Sequence, residues 1–365
     1  MENFNPTNFV FDIEQFEKFN RNTQNQKAEE TLKKYSYLKI TDSTKIPPPI
    51  EVLKINGEII STEGNITTIS GASKSGKSAF SSVLIAGAIA KKGYDGFPDV
   101  EVSLNDGKAV LHFDTEQARH KHQKNLKTIL KRVDVENCPE NLLSYNIREE
   151  DLDKYKHITQ ELTEAAFKKF KGIHLIVIDG GADYIKDVNE PRQSNELVKF
   201  FEELAIKFST AVIIIVHVNP NSDKERGHFG SQLQRKSESV LSVKNLGDIS
   251  CLEPKLLRMA GKGDIPLIQF SYDKEKGYHV FCGIKKPENN EQKNQKRIRE
   301  IEDTVNVVFA PPTSFRYAIA IERIMKHTNK QIATAKTVFK EMKDHKMIIK
   351  GEDNNWRINI NTESV

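Results

Sequence analysis

The residues best suited to chemistry lie in one short segment of glycine, serine and lysine. Its eight positions match the pattern GxxxxGK[ST]: Gly71, Ala72, Ser73, Lys74, Ser75, Gly76, Lys77 and Ser78. Glycines let a loop wrap around phosphate oxygens, and backbone N–H groups at a helix N-terminus converge on them. In such a P-loop Lys77 reaches the β- and γ-phosphates of ATP, and the Ser78 hydroxyl ligates Mg²⁺. The segment therefore predicts a site for ATP and Mg²⁺.

The neighbouring sequence supports this interpretation. A predicted strand precedes the segment and an alanine-rich helix follows it, as the pattern requires. The alternative is an ordinary glycine-rich turn between a strand and a helix. The role of Lys74 stays open, because its ammonium group either adds charge near the γ-phosphate or is a solvated loop residue.

An acidic residue ends the apolar run of residues 175–178. This residue, Asp179, has the position of a Walker B carboxylate, which holds Mg²⁺ through water at the carboxyl edge of a parallel sheet. Gly180 and Gly181 follow it, so a base for the attacking water must come from elsewhere in the chain.

Glu116 is the candidate for that base. It ends the predicted strand that follows the P-loop helix, on the same edge of the sheet, and a carboxylate there can accept a proton from water. The alternative is a first-turn acid that complements the helix dipole, with Asp114 or Thr115 as the N-cap.

These residues require a sheet that brings strand ends together, and the hydrophobic pattern predicts an α/β domain with a parallel sheet. The predicted strands cover residues 65–70, 108–113, 142–147, 173–178 and 211–216. The predicted helices cover about residues 77–91, 117–132, 153–170 and 193–208. Short strands at 239–244, 251–258, 266–271 and 278–282 predict an antiparallel extension.

The pattern divides the chain into four parts. Residues 1–45 are a polar helical segment, 46–284 the α/β domain, 285–296 a linker and 297–365 a small C-terminal domain. In the last part, helices near 297–306, 314–327 and 332–344 precede two short strands. Helices followed by a small hairpin predict a winged-helix-like domain.

Composition excludes several classes of protein. The chain has 365 residues with only three cysteines, far apart, which argues against a disulfide scaffold. It shows no secretory signal and no apolar run of the ~20 residues that span a bilayer, so we expect a cytoplasmic protein without a membrane partner. His120 and His122 lack further zinc ligands and predict an exposed helical face. No Ser–His–Asp arrangement of a hydrolase has recognisable context.

Positive charge is concentrated near the C-terminus. Residues 285–365 contain 16 Lys and Arg against 11 Asp and Glu, an excess of +5, and the rest of the chain is near −1. Residues 334–345 predict an amphipathic helix with Lys336, Lys340 and Lys343 along one side. A winged helix inserts such a helix into the major groove, so we expect these lysines to contact duplex DNA. The alternative is a domain for protein contacts or oligomer assembly.

Several of these features together resemble the RecA-like ATPases: the P-loop, Glu116, Asp179 without an adjacent Glu, and a further strand ending in His217. The blocks FDTEQ (113–117), DGGADYIKDVNE (179–190), HVNPN (217–221) and RGHFGSQLQRKSESVL (226–241) are similar to the RepA-type hexameric replicative helicases and related AAA ATPases of plasmids and mobile elements. The resemblance covers about residues 46–284 and implies a RecA-like ATPase domain there.

The resemblance also implies roles for residues beyond the P-loop. His217, with Asn219, senses the γ-phosphate from a strand inserted between those of the P-loop and Asp179. The 218–236 loop faces a central channel and touches single-stranded DNA through its basic residues: Arg226, Arg235 and Lys236. A strand-end histidine bonded to a backbone carbonyl and a solvated basic face are the alternatives.

In this family a basic finger from a neighbouring subunit completes the site of a homo-oligomer, here expected to be a hexamer. The family's Lys-x-Arg finger falls at residues 253–258, where this chain has Lys255 and Arg258 with Lys-x-x-Arg spacing. Residues three apart on a strand point to opposite faces, so this spacing departs from the family's finger; Arg258 is the first choice and Lys255 the second.

The sequence thus predicts an oligomeric ATPase that acts on DNA in the replication or mobilisation of a mobile element. Two other functions stay open. A small-molecule kinase is disfavoured by Glu116 and by the inserted strand, and a DNA-binding adaptor switched by ATP without helicase activity has no sequence feature against it.

Overall fold

The N-terminal residues form a unit of their own, Met1–Pro49, whose limit lies four residues after the predicted one. The computed structural model describes residues 13–219, 225, 227–285, 290–311 and 313–359. In this first unit, helix α1 (Ile13–Lys34) precedes a 3₁₀ turn at Ser36–Leu38, and residues 24–49 are exposed. The remaining chain, Ile50–Val365, is the second unit.

The second unit contains fourteen strands and eight helices within the described residues. The strands are β1 (Glu51–Ile55), β2 (Glu58–Thr62), β3 (Ile66–Gly71), β4 (Val100–Val102), β5 (Ala109–Asp114), β6 (Leu142–Asn146), β7 (Ile173–Asp179), β8 (Ala211–His217), β9 (Ser239–Asn245), β10 (Ile249–Leu257), β11 (Leu267–Asp273), β12 (Tyr278–Lys285), β13 (Ile348–Lys350) and β14 (Trp356–Ile358). The helices are α2 (Lys77–Ile89), α3 (Arg119–Arg132), α4 (Tyr155–Phe170), α5 (Pro191–Phe208), α6 (Gly227–Lys236), α7 (Asn290–Val308), α8 (Tyr317–Thr328) and α9 (Ile332–Asp344). In the described part of the chain, none of the helices is both long and apolar enough to cross a bilayer.

Nine strands form the central sheet, in the order β12-β11-β10-β9-β3-β8-β7-β5-β6. The six strands from β9 to β6 are parallel, and β9, β10, β11 and β12 pair antiparallel in sequence. The predicted parallel-dominant α/β core with its antiparallel extension is confirmed. Strand β8 lies between β3 and β7, as the resemblance implied, so its last residue ends between the P-loop and Asp179.

The central strands are buried on both faces. Along β8, Ile213 and Ile215 face a core shared with α2 and α3, whereas Val212, Ile214 and Val216 face a core shared with α4, α5 and α6. This alternation follows from the two-residue period of a strand. Full burial of each such side chain contributes roughly 1.5–3 kcal/mol, which fixes the strand ends that carry the polar residues.

Two parts of the fold differ from the sequence prediction. Strands β1, β2 and β4 form a separate antiparallel sheet that the pattern did not indicate. Residues 227–236, expected to be part of a channel loop, form helix α6 instead. Phe229 and Leu233 lie one turn apart and are buried, so they anchor this short helix in spite of its polar sequence.

The last part of the chain has an apolar core of its own. Helices α7, α8 and α9 and the hairpin β13–β14 surround it, and the predicted stripe of α9 is buried: Ala335, Val338, Phe339 and Met342. Lys336, Lys340 and Lys343 are exposed on the same helix. Helix α7 begins at Asn290, inside the predicted linker of residues 285–296.

Candidate functional site

The P-loop joins β3 to α2 as the sequence predicts. Gly76 immediately precedes the helix with a φ of 101°, in the left-handed region. A Cβ at this position would lie 2.6 Å from Ser250 Oγ and 2.9 Å from a ring carbon of Phe270. Both the backbone conformation and the lack of space therefore require glycine, and the N-terminus of α2 is left open to an anion.

Lys77 is the first residue of α2 and is only 5% exposed. Its Nζ donates hydrogen bonds to the carbonyl oxygens of Gly71 (3.0 Å) and Ala72 (2.8 Å). Burial lowers the pKa of Lys77, and the negative charges of Glu116 and Asp179 partly oppose this. The ammonium group is therefore held at the loop by backbone acceptors that a phosphate can replace.

Ser78 and Asp179 are brought together as predicted. The Ser78 hydroxyl donates to Asp179 Oδ2 over 3.1 Å, and Asp179 ends β7 with 2% exposure. Burial, together with the charges of Asp114 and Glu116, raises the pKa of Asp179 to about 7. A hydroxyl beside a carboxylate with this excess of negative charge is a donor set that fits Mg²⁺, which takes few protein ligands and keeps several waters.

Glu116, His217 and Lys77 form a hydrogen-bonded series. His217 Nε2 lies 2.9 Å from Glu116 Oε1, and His217 Nδ1 lies 3.3 Å from Lys77 Nζ. These three residues and Asp179 lie at the carboxyl edge of the sheet. We call Lys77, Glu116, Asp179 and His217 the phosphate edge. Because α3 begins only at Arg119, Glu116 lies outside its first turn, and the helix-dipole alternative loses its geometric basis.

Gly180, which follows the Walker B position, is required by its surroundings. Its φ is 97°, and a Cβ there would lie 2.0 Å from Thr115 Oγ1. The Thr115 hydroxyl is 2.8 Å from Asp183 Oδ2 and 3.1 Å from the Asp179 carbonyl oxygen. The two strand ends that carry Glu116 and Asp179 are therefore held together by direct hydrogen bonds.

A buried polar network behind Glu116 was missed in the sequence. His122, expected on an exposed face, is 6% exposed, and its Nδ1 lies 2.9 Å from Asp114 Oδ2. His122 Nε2 lies 2.9 Å from Ser144 Oγ, which is also 3.0 Å from His112 Nδ1. A helical spacing from His122 to the buried Ile129 was the signal that could have placed it inward.

A cavity of about 500 Å³ extends from the P-loop between α3 and the hairpin β11–β12. The phosphate edge lines one end through Lys77, Glu116 and His217, and the other end is lined by residues that sequence reasoning did not select: Lys121, Lys124, Asn125, Thr128, Arg132, Tyr272, Tyr278 and His279. Its size suits a nucleotide, because ligand pockets commonly measure ~300–1,000 Å³.

The predicted finger residues both contact their own chain. Lys255 Nζ lies 2.6 Å from Oε1 of the buried Glu225, and Arg258 donates to the carbonyl oxygens of Arg235 (3.0 Å) and Lys236 (3.1 Å). Arg258 lies beyond the end of β10, so the argument from alternating strand faces does not apply to it.

The predicted DNA contacts are only partly described. Arg235 and Lys236 are exposed at the C-terminal end of α6, and Lys236 Nζ lies 3.4 Å from Glu202 Oε1. Asn219 follows β8, with its Nδ2 3.5 Å from the Glu225 carbonyl oxygen. Arg226 lies outside the described residues.

The sequence profile of the AAA domain matches residues 29–223, just over half of the chain. The chain belongs to the AAA domain family. The match contains the whole phosphate edge, so this AAA domain is a P-loop ATPase of the RecA-like kind, as the sequence predicted. No curated protein matches the chain. Strands β9–β12 and helices α7–α9 lie outside the region of the AAA match.

Proposed function

We propose that the chain is an oligomeric, DNA-acting ATPase, a helicase or translocase of the RepA type that serves the replication or mobilisation of a mobile element. The hydrogen-bonded series Glu116–His217–Lys77 carries the enzymatic part of the proposal. Glu116 is the acceptor for the proton of water, and its carboxylate lies 2.9 Å from the ring of His217. The same ring lies 3.3 Å from the P-loop ammonium group of Lys77.

ATP hydrolysis at this site uses positioning and charge. The triphosphate lies against the N-terminus of α2, where Lys77 exchanges its carbonyl partners for phosphate oxygens. Glu116 accepts the proton of the attacking water, and a positioned base of this kind typically contributes ~10²–10⁴-fold in rate. Ser78 and Asp179 would hold Mg²⁺, which supplies charge neutralisation on the phosphates. His217 contacts Glu116 and Lys77, so it can report the γ-phosphate to β8.

An incomplete site supports the proposed oligomer. Among the described residues, no arginine lines the phosphate end of the cavity, and Arg132 at its other end is buried and hydrogen-bonded to its own chain. Arg258 is exposed just beyond the end of β10, and within the described residues its guanidinium bonds only to backbone carbonyls, so a neighbouring subunit can receive its charge. We propose a homo-oligomer, a hexamer in this branch, with Arg258 acting in trans and Lys255 held by Glu225.

Two basic surfaces support the action on DNA. Arg235 and Lys236 are exposed at the C-terminal end of α6, just before β9. The C-terminal core of three helices and a hairpin supports a winged-helix domain, in which α9 offers Lys336, Lys340 and Lys343 to phosphates. Such contacts bind DNA electrostatically without reading its sequence.

The test combines size, hydrolysis and strand separation. We expect the wild type to assemble with ATP on single-stranded DNA, to hydrolyse ATP faster when DNA is added, and to displace a labelled strand. Lys77→Ala is expected to lose nucleotide affinity and turnover together. Assembly and DNA binding without strand displacement would leave an ATP-switched adaptor, and wild-type turnover in Lys77→Ala would place the active site elsewhere.

A further inference from the structure

The buried network behind Glu116 has a consistent arrangement of protons. Burial opposes the ionisation of Asp114, but hydrogen bonds from His122 and the Gln117 N–H outweigh it and keep the pKa of Asp114 below its ordinary value. The ionised carboxylate only accepts, so His122 Nδ1–H donates to it. Ser144 Oγ bridges the next two rings, 2.9 Å from His122 Nε2 and 3.0 Å from His112 Nδ1. Burial lowers the pKa of His112 to about 4, so its ring is neutral.

The other oxygen of Asp114 controls the backbone that carries Glu116. Asp114 Oδ1 accepts from the N–H groups of Glu116 and Gln117, each at 2.9 Å. The Gln117 side chain continues toward the P-loop, where its Nε2 lies 3.5 Å from Ser78 Oγ. One carboxylate thus fixes the turn between β5 and α3, and that turn meets the P-loop.

The order Ser144–His122–Asp114 also resembles a hydrolytic triad. Two observations argue against a nucleophile. Ser144 does not line the nucleotide cavity, and its hydroxyl is shared between two histidine rings that stack 5.1 Å apart. The network therefore offers no nucleophile for a second reaction.

We propose that His122 is a positioning residue for ATP hydrolysis. It holds the Asp114 carboxylate in the rotamer that accepts from Glu116 and Gln117, and thereby sets where the Glu116 carboxylate meets water. The inference rests on the proposed function of Glu116 as the base. Its basis is geometric, because Asp114 is 0% exposed and has the His122 ring on one oxygen and the Glu116 turn on the other.

The test uses two amides that replace different nitrogens of the ring. His122→Asn puts a donor near the position of Nδ1 and keeps the bond to Asp114, whereas His122→Gln reaches the position of Nε2 and keeps only the bond to Ser144. Displacing a reacting group by about 1 Å can cost ~10²-fold in rate. We therefore expect His122→Leu and His122→Gln to lower kcat by about 10–100-fold, with His122→Asn near the wild-type kcat. The exposed His120 on the same helix provides the control, His120→Ala.

The positioning role also predicts that the His122 variants change kcat and leave the KM for ATP unchanged. The KM for ATP and the affinity for a fluorescent ATP analogue should stay near wild type in all His122 variants, because the P-loop is not changed. Equal kcat values for His122→Asn and His122→Gln, or a folded His122→Leu with wild-type kcat, would overturn the inference. Loss of folded protein in all three variants would assign a structural role instead.

The proposed function fails separately from this inference. If Lys77→Ala and Glu116→Gln abolish turnover while the His122 variants do not change it, only the positioning role is wrong. A wild-type chain that does not hydrolyse ATP would remove the function, and the role of His122 with it.

Discussion

The phosphate edge and the C-terminal helical region, residues 290–359, differ in where their charged side chains lie. At the phosphate edge, Lys77 and Asp179 are at most 5% exposed, the half-buried Glu116 and His217 contact each other, and His122 and Asp114 form a buried pair behind them. In the described residues of 290–359, the buried side chains are apolar except Thr304, and the basic residues of α9 face solvent. Buried charge is costly unless it is paired, so its presence marks chemistry, whereas exposed charge acts at a distance on a polyanion.

The comparison predicts that substitutions in the two regions have separable effects. Substitutions at the phosphate edge should alter the ATPase rate and have little effect on folding. Changes on the surface of α9 should alter DNA affinity, and changes in the core beneath it should alter local stability only.

The largest expected effect concerns Arg258, which we propose to complete the phosphate edge from another subunit. Arg258→Ala should lower the ATPase rate by ~10³-fold or more, as removal of an in-trans arginine does. Mixing it with Lys77→Ala should restore part of the activity, because a mixed interface can join an intact P-loop to an intact Arg258. Steady-state phosphate release at several mixing ratios measures this. Absence of rescue in co-assembled protein would contradict the assignment.

In the C-terminal region, the core beneath α9 should respond through stability. Met342 is fully buried, so Met342→Ala is expected to cost about 2–5 kcal/mol. Trp356, the only tryptophan of the chain, packs on Phe339 in this core, and its fluorescence reports local unfolding by denaturant. The exposed Val307 provides the control, Val307→Ala. A lower DNA-independent ATPase rate in folded Met342→Ala would show that the two regions are coupled.

The buried carboxylate at the phosphate edge should make stability depend on pH. The pKa of Asp179 is about 7 in the fold and ~3.9 in the unfolded chain, so between these values the folded state binds more protons. The free energy of unfolding of nucleotide-free protein should therefore fall as pH rises from about 4 to about 7, by about 1.4 kcal/mol for each pKa unit. Thermal unfolding of Asp179→Asn should show a weaker fall, and the exposed Asp106→Asn should match the wild type.

The smallest effect is expected from the surface lysines of α9. Replacing Lys336, Lys340 and Lys343 with alanine should reduce the slope of log affinity for duplex DNA against log salt by nearly one unit for each lost phosphate contact. ATP turnover without DNA should not change. An unchanged slope, with an exposed lysine elsewhere as control, would indicate that α9 serves protein contacts.

The sequence was sufficient for elements whose pattern is periodic and local. Strand β8 is a continuous apolar run and helix α9 has a clear helical period, and their limits lie within a residue of the prediction. Helix α6 could not be predicted, because its sequence contains two glycines and few apolar residues. The anchoring pair Phe229 and Leu233 is too short to show a helical period. The sheet of β1, β2 and β4 depends on the pairing of β1 with β4, whose paired residues are 45–49 positions apart, and no local pattern shows this.

The site was predictable where a motif fixes the spacing, and not where the fold brings residues together. Lys77, Ser78 and Asp179 follow from their motifs. The helical spacing from His122 to Ile129 could have indicated that His122 is buried, but its contact with Asp114 depends on the fold and could not be predicted. The carbonyl partners of Arg258 also come from a helix that was not predicted.

The central claim is that the Glu116 carboxylate accepts the proton of the attacking water, and Glu116→Gln tests it most directly. Glutamine keeps the size and hydrogen-bonding reach of glutamate, so Lys77, Ser78 and Asp179 should stay in place. The measurement is single-turnover ATP hydrolysis together with equilibrium ATP binding by the same preparation. We expect near wild-type affinity and a rate lower by ~10²–10⁴-fold, with protein accumulating in the ATP-bound state. Hydrolysis within a few-fold of wild type would contradict the claim.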